Sequence, residues 1–276
     1  MADWQPLGLK MQWLNGDEAR QIEPVLSPEV CAAIYAPEEA QIKAPQTVKA
    51  FSQAATKLGA KIYSYKEVVG IQQDKDKVTG INTAEGDTFT CNHLILTTGA
   101  WTGLYKDWFD ITLPVNPIRG QILSLKQPDS SLQHIVFGGS VYLAPRNGTI
   151  IVGATKEDVG FDVKVTDKGI SWLNHAAMKI VPTLKESQVE RAWAGHRPKT
   201  PDKHPILGVA PDWKNVTLAV GHNSVGIILS AITGQAIAKL VTTHEVPAVI
   251  QPFSLSRFSS DNDNNEEPFQ ITAKSQ

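Results

Sequence analysis

The chain is short of several features that usually decide a function. Its 276 residues include only two cysteines, Cys31 and Cys91. They lie far apart and form no Cys-x-x-Cys pair, which argues against a disulfide scaffold or a dithiol redox motif and makes a reducing cytoplasm the expected compartment. There is no basic excess: 26 Lys and Arg stand against 28 Asp and Glu, for a formal net charge of −2. Neither a nucleic-acid groove nor an anionic membrane surface is expected from that balance. No run of roughly 18 apolar residues occurs, so no transmembrane segment is expected. The first ten residues, Met1 to Lys10, lack the basic start and apolar centre of a signal peptide. The seven histidines do not cluster and no carboxylate pair sits at ligand spacing, which leaves no metal site. No Gly-x-Ser-x-Gly or Cys-His signature points to covalent catalysis, and no Gly-x-Gly-x-x-Gly run is found.

What is present is an ordinary globular composition, 42% hydrophobic and 20% charged, long enough for one or two cores. Asp17–Pro24 reads as a short helix stopped by its proline. Pro45–Gly59 reads as a clearer one, with Val48, Phe51, Ala55 and Leu58 on one face and Gly59 as its cap. Strand patterns follow at 61–64, 67–72, 78–82 and 88–91, separated by Asp- and Gly-containing turns, and predict an antiparallel meander that ends in the short apolar strand 94–98. That strand runs into Gly99, the kind of glycine turn that edges a ligand site in α/β sheets. Strands are predicted at 120–125, 141–144, 149–152 and 216–220, and helices at 166–181 and 226–241. Ser259–Pro268 is poor in apolar residues and reads as a disordered tail.

Two segments carry most of the chemistry. Gly221-His-Asn-Ser-Val-Gly226 has the two-glycine spacing of a phosphate loop, but Ile227 and Ile228 follow where that loop needs Lys and then Ser or Thr. What remains is a glycine turn opening an uncharged helix, whose first amides lack internal partners and favour a polar or anionic group. Small residues at 226, 230, 231 and 234 would admit a flat ligand; close packing of that helix on a sheet accounts for them equally well. Arg197, in Ala194-Gly-His-Arg-Pro198, offers a permanently charged fork suited to a carboxylate. The apolar flanks of Arg197 predict a strand pair formed by the residues before it and Pro205–Gly208. Tyr142 lies in a strand, where a phenol beside an anion and a half-buried packing residue are both open readings. His222 adjoins the glycine turn, either lining a ligand or bonding to local backbone.

The order of these pieces resembles the FAD-dependent D-amino-acid-oxidase-like (DAO) superfamily, and within it glycine oxidase and sarcosine-oxidase-like members. The matching pieces are 94–103, 114–121, 142–146 with 151–155, 191–198 and 205–240. The resemblance implies a mixed α/β (α+β) fold: an incomplete Rossmann-like FAD-binding domain plus an antiparallel β-sheet substrate domain. The expected substrate-domain segments are 1–43 and 111–190, the FAD-domain segments 44–110 and 191–250, and the tail 251–276. It implies that Arg197 and Tyr142 hold a substrate carboxylate. It also implies FAD contacts from Val68, Thr98, Gly99, Gly221, His222, Asn223, Ser224, Val225, Gly226, Ile227 and Ile228, with Val68 on the adenosine half.

Three departures from the family pattern matter. Ser224 stands near a position where related glycine oxidases have arginine. Arg197–Thr200 lacks the cysteine that tethers flavin in some relatives, so noncovalent FAD is implied. The family's opening βαβ unit of about 30 residues, with its glycine fingerprint, has no counterpart in this sequence; the 276-residue chain alone is expected to be colourless. The implied activity is oxidation of a small amino acid or secondary amine to an imine, with oxygen as acceptor and a separately encoded N-terminal FAD-binding part as a partner. The alternatives are a remnant unable to bind FAD, or a dehydrogenase passing electrons to a partner protein. The cofactor carries the redox chemistry, so no general base is assigned.

Overall fold

The computed structural model describes residues 8–127 and 132–258. In chain order its elements are β1 (Gln12–Asn15), α1 (Gly16–Ile22), β2 (Ala32–Tyr35), α2 (Ala44–Lys57), β3 (Val68–Asp74), β4 (Lys77–Thr83), β5 (Thr88–Thr90) and β6 (Leu94–Leu96). A 3-10 turn (Gly99–Tyr105) leads to α3 (Lys106–Phe109), β7 (Asn116–Lys126), β8 (Val136–Gly138), β9 (Val141–Arg146), β10 (Thr149–Gly153) and α4 (Asp167–Ile180). Then come β11 (Val189–Lys199), β12 (Ile206–Val209), β13 (Val216–Val220) and α5 (Ser230–Thr243). The chain divides into two compact units: Met1–Ser64 with Pro117–Arg197, and Tyr65–Asn116 with Pro198–Gln276. The mixed, largely antiparallel architecture is the expected class. The divisions fall differently from the expected segments: α2 lies in the first unit, as do residues 191–197, and residues 111–116 lie in the second.

The first unit is organised by a five-stranded sheet in the order β11-β7-β10-β9-β8, with β1 and β2 as a separate pair. Alternation sends Leu123, Leu125, Val141, Leu143, Ile150 and Val152 to one face, where α4 covers them with Leu173 and Ala177. A fully buried leucine contributes about 1.5–3 kcal/mol, so this face fixes the register of the sheet. Thr166 caps α4 by accepting from the Gly169 amide at 3.1 Å. Asn15 and Glu18 form a reciprocal capping box at the start of α1.

The second unit holds two small sheets, β12-β13-β6 and β3-β4-β5. In the first, β6 runs parallel to β13, pairing Leu94 with Val216 and Leu96 with Leu218. Leu96, Phe109, Val115, Ile206, Trp213, Val216 and Leu218 form its main core. The Trp213 indole N–H donates to the Phe109 carbonyl at 2.9 Å, which lets a large polar-tipped ring stay buried.

Five sequence readings need correction. Residues 61–64 form no strand, and Ile62 and Tyr63 are exposed rather than packed as a strand face. The strand at 94–96 does not end the β3-β4-β5 meander but joins a second sheet, because its apolar run suits a parallel, buried neighbour. β11 and β12 do not pair with each other; they join β7 and β13 respectively. The last helix begins at Ser230, not Gly226, because Ser230 bonds through both its amide and its hydroxyl to the Ile227 carbonyl and closes a tighter turn first. The tail expected from 251 does not include 251–258, where 3-10 turns form with Leu255 buried; Ser259–Gln276 lie outside the described residues. The predicted helix at 45–59 forms as α2, yet none of its residues is buried, and Val48, Phe51 and Leu58 stand exposed.

Candidate functional site

On the sheet face away from α4, two long polar side chains lean inward over glycines. Strand register sets up one row across the sheet: Phe137 opposite Tyr142, Tyr142 opposite Gly153, and Gly153 opposite Ile122. The Tyr142 ring lies over Gly153 so closely that a Cβ there would sit 2.7 Å from its hydroxyl oxygen. Two residues along β7 from Ile122, the Arg197 guanidinium lies directly on Gly120, leaving no room for a Cβ. Arg197 comes from β11 at one edge of the sheet, and Tyr142 from β9 on the far side of β7 and β10. The glycines on the two strands between them leave a shallow floor.

The electrostatics of this pair are unusual. Burial pushes the Arg197 pKa below its ordinary value, partly offset by Tyr142. Burial likewise raises the Tyr142 hydroxyl, opposed by the positive charges of Arg197 and Arg146. The phenol is therefore neutral and a donor at physiological pH, and the guanidinium stays charged. Arg197 makes one hydrogen bond, from Nη1 to the Thr155 carbonyl at 3.0 Å, and has no carboxylate partner among the described residues. A half-buried guanidinium with four of its five N–H donors unused has the chemistry to take an anion.

Thr155 is itself held firmly. Its hydroxyl donates to Glu157 and accepts from the Gln121 amide at 2.8 Å, while its amide donates to the Gln121 carbonyl at 3.2 Å. Glu157 also accepts from the Gln121 side chain at 2.7 Å and from Arg119 at 2.5 Å. Desolvation alone would raise the Glu157 pKa; hydrogen bonds from Arg119, Thr155 and Gln121 outweigh it and hold the carboxyl below the usual range.

The second constellation is made of backbone. Because β6 and β13 are parallel neighbours in register, the loops that follow them emerge side by side at the carboxyl end of the sheet, where open α/β sheets bind ligands. One loop brings Thr98 and Gly99; the other is 221–228. Gly99 has φ +54 with open space where a Cβ would point. Gly221 has φ +73, and a Cβ there would meet Thr200 Cγ2 at 2.5 Å. Asn223 also takes a left-handed conformation, φ +51, with its amide bonded to the Pro198 carbonyl. Val225 closes onto the His222 carbonyl. The amides of Ser224, Gly226, Ile227 and Ile228 find no acceptor among the described residues. The His222 ring bonds to Thr233 Oγ1 at 3.1 Å rather than to backbone, and burial keeps it neutral by lowering its pKa. This run of free amides fits the carbonyl- and nitrogen-bearing edge of a flavin ring.

Of the residues expected from sequence, Arg197 and Tyr142 therefore share one sheet face, and Thr98, Gly99 and Gly221–Ile228 share one sheet edge. Val68 belongs to neither. It is the half-buried first residue of β3, paired with Thr83 in the other small sheet. Sequence reasoning missed Gly120, Gly153, Thr155 and Glu157. The available signal was a strand ending in glycine followed, one residue on, by Thr-x-Glu, and a glycine beside the buried Arg119. Among the described residues no group of His, Cys, Asp and Glu could hold a metal ion, and no helix is long and apolar enough to cross a membrane.

A sheet face with an unsatisfied guanidinium and a strand edge rich in free amides are the two candidate sites. The sequence profile of the FAD dependent oxidoreductase (DAO) family matches residues 1–240, and the chain belongs to that family. It is 34% identical to the glycine oxidase of Geobacillus kaustophilus over 257 residues, 92% of this chain and 68% of that enzyme. The crystal structure of glycine oxidase from Geobacillus kaustophilus superimposes with a TM-score of 0.87 at 33% identity, covering 93% of this chain and 70% of the other. Identity is 36% to the bifunctional protein ThiO/ThiG of a Nostoc species, across 89% of this chain and 37% of that protein.

Proposed function

We propose that the chain oxidises a small amino acid or secondary amine, glycine- or sarcosine-like, to an imine, with oxygen as the final acceptor. Arg197 holds the substrate carboxylate and the Tyr142 hydroxyl donates a second hydrogen bond to it. The amides of Ser224, Gly226, Ile227 and Ile228, with Gly221 shaping their turn, hold the polar edge of noncovalently bound FAD; Thr98, Gly99 and the Val68 backbone serve its remaining parts. FAD, when bound, supplies the hydride acceptor. The protein contributes position and charge: the guanidinium fixes the carboxylate and so the orientation of the adjacent C–H bond. No Gly-x-Gly-x-x-Gly run occurs among these residues, and diphosphate binding is assigned to a separately encoded FAD-binding partner.

The observation that carries this reading is the half-buried Arg197 with its donors unused, laid over a glycine beside a neutral tyrosine. The test is a peroxide assay over glycine, sarcosine and D-amino acids on the FAD-loaded enzyme. Arg197→Leu is expected to raise KM by about a hundredfold or more, since charge-assisted hydrogen bonds contribute about 1.5–3 kcal/mol each. Unchanged kinetics would remove Arg197 from the site. The 276-residue chain alone is expected to be colourless and to turn yellow when a Gly-x-Gly-x-x-Gly βαβ segment is co-expressed. Flavin absorbance in the chain alone would overturn the need for that segment.

A further inference from the structure

We propose that Glu157 is a positioning residue for substrate binding: through the Thr155 carbonyl it fixes where the Arg197 guanidinium points. The inference rests on the reading of Arg197 as the carboxylate clamp. A long arginine reaching over a glycine has little to hold it. Its one hydrogen-bonding anchor among the described residues is the Thr155 carbonyl, 3.0 Å from Nη1. Gly120 supplies a flat surface but no polar contact. The direction of the guanidinium is thus set by how firmly Thr155 is fixed.

Thr155 is fixed at every other polar atom. Its amide goes to the Gln121 carbonyl, and its hydroxyl both accepts from the Gln121 amide and donates to Glu157. Only its carbonyl is left, and that faces Arg197. Glu157 is the hub of this arrangement. One carboxylate oxygen takes the Thr155 hydroxyl and the Gln121 amide group, and the other takes Arg119. Backbone bonds in both directions between Arg119 and Glu157, 2.9 and 3.0 Å, tie the loop to β7. Asp162 takes the second Arg119 nitrogen at 2.9 Å, and Thr166 locks the Gln121 side chain from the α4 cap.

The charges alternate along this path: Asp162, Arg119, Glu157, then Arg197. Arg119, Gln121 and Thr155 are buried. In such surroundings a polar group that loses its partner is costly, so removing one donor–acceptor match shifts the rest. A carboxylate meets donors on both sides, from Arg119 and from Thr155 with Gln121. A carboxamide cannot, because one of its two ends is itself a donor. Glu157→Gln therefore keeps the volume and breaks the anchor.

The test is a double-mutant cycle on the FAD-loaded enzyme, with glycine or sarcosine as substrate. Glu157→Gln is expected to raise KM about tenfold with kcat within about twofold, the scale of a misplaced positioning group. Glu157→Asp, which keeps the charge, is expected to recover part of the loss. In the Arg197→Leu background, Glu157→Gln is expected to add no further rise in KM. A second measurement does not need turnover: acetate titrated into the full chain is expected to shift the Arg197 Nε–H resonance, with at least tenfold weaker binding in Glu157→Gln. If Glu157→Gln fails to fold, Thr155→Val against Thr155→Ser reads the same coupling through the hydroxyl, with KM raised only in the valine variant. Unchanged KM in Arg197→Leu would overturn the clamp reading itself. A raised KM in Arg197→Leu with none in Glu157→Gln, or additive effects of the two, would overturn the positioning role alone.

Discussion

The two units build their sites from different materials. In the first, the proposed binding groups are side chains: Arg197 and Tyr142 lean over Gly120 and Gly153, and a charge network around the buried Arg119 holds Thr155, to which Arg197 bonds. In the second, the proposed binding groups are main-chain amides after β13, shaped by Gly221 and by the left-handed Asn223. A side-chain site is removed by one substitution at its charged atom. A backbone site tolerates side-chain changes and fails when the conformation of its turn is disturbed.

The sharpest way to break this contrast is Gly120→Val. A branched side chain would occupy the space where the guanidinium lies, and KM is expected to rise about a hundredfold, equivalent to about 2.7 kcal/mol of lost binding, with flavin retained. Equal loss of flavin and substrate affinity would show that the two sites are not separable in this way. Next comes Gly221→Ala. The left-handed conformation costs a non-glycine residue about 1–2 kcal/mol, and the new methyl meets Thr200. Flavin retention is expected to drop about tenfold or more, read from absorbance after gel filtration, with substrate KM little changed in whatever enzyme remains loaded.

Acid separates the units more gently. The Glu157 carboxyl lies below its ordinary pKa in the folded chain, so the unfolded chain binds the extra proton first and stability falls as pH drops through the carboxylate range. His222 is also depressed by burial, below 6.5, so its destabilising protonation begins below about pH 6.5, well above that range. Urea midpoints between pH 7 and 3 are expected to fall less steeply at the acid end in Glu157→Gln, and less steeply just below pH 6.5 in His222→Asn. Parallel curves for all three proteins would discount both groups. The smallest effect is expected for Ser224→Ala. Only the amide of this exposed residue is placed to bind, so flavin affinity is expected to move by no more than about 0.5 kcal/mol; a tenfold loss would mean that its hydroxyl binds as well.

Much of this was legible in the residues. The alternation in 141–144 and 149–152, the run 216–220 and the helix at 166–181 each carry a pattern that local burial enforces, and each formed within a few residues of its predicted span. The Gly221–Gly226 turn was legible because glycine marks positive φ. The start of α5 was not, because competing short-range bonds at Ile227 and Ser230 leave no mark in hydrophobic periodicity. The partners of Arg197 were hidden for a different reason: Gly120, Thr155 and Glu157 come from distant stretches of chain and meet only through the pairing of β7 with β11 and β10.

The amino-acid order by itself determined which segments alternate, which turn on glycine and which family's pattern the motifs follow, because those depend on neighbours along the chain. Only the tertiary structure decided that β6 lies parallel to β13 and so brings two glycine loops to one edge. It alone decided that an arginine and a tyrosine 55 residues apart reach over two glycines toward one another, because strand pairing is settled by burial across the whole sheet rather than by any local run of residues.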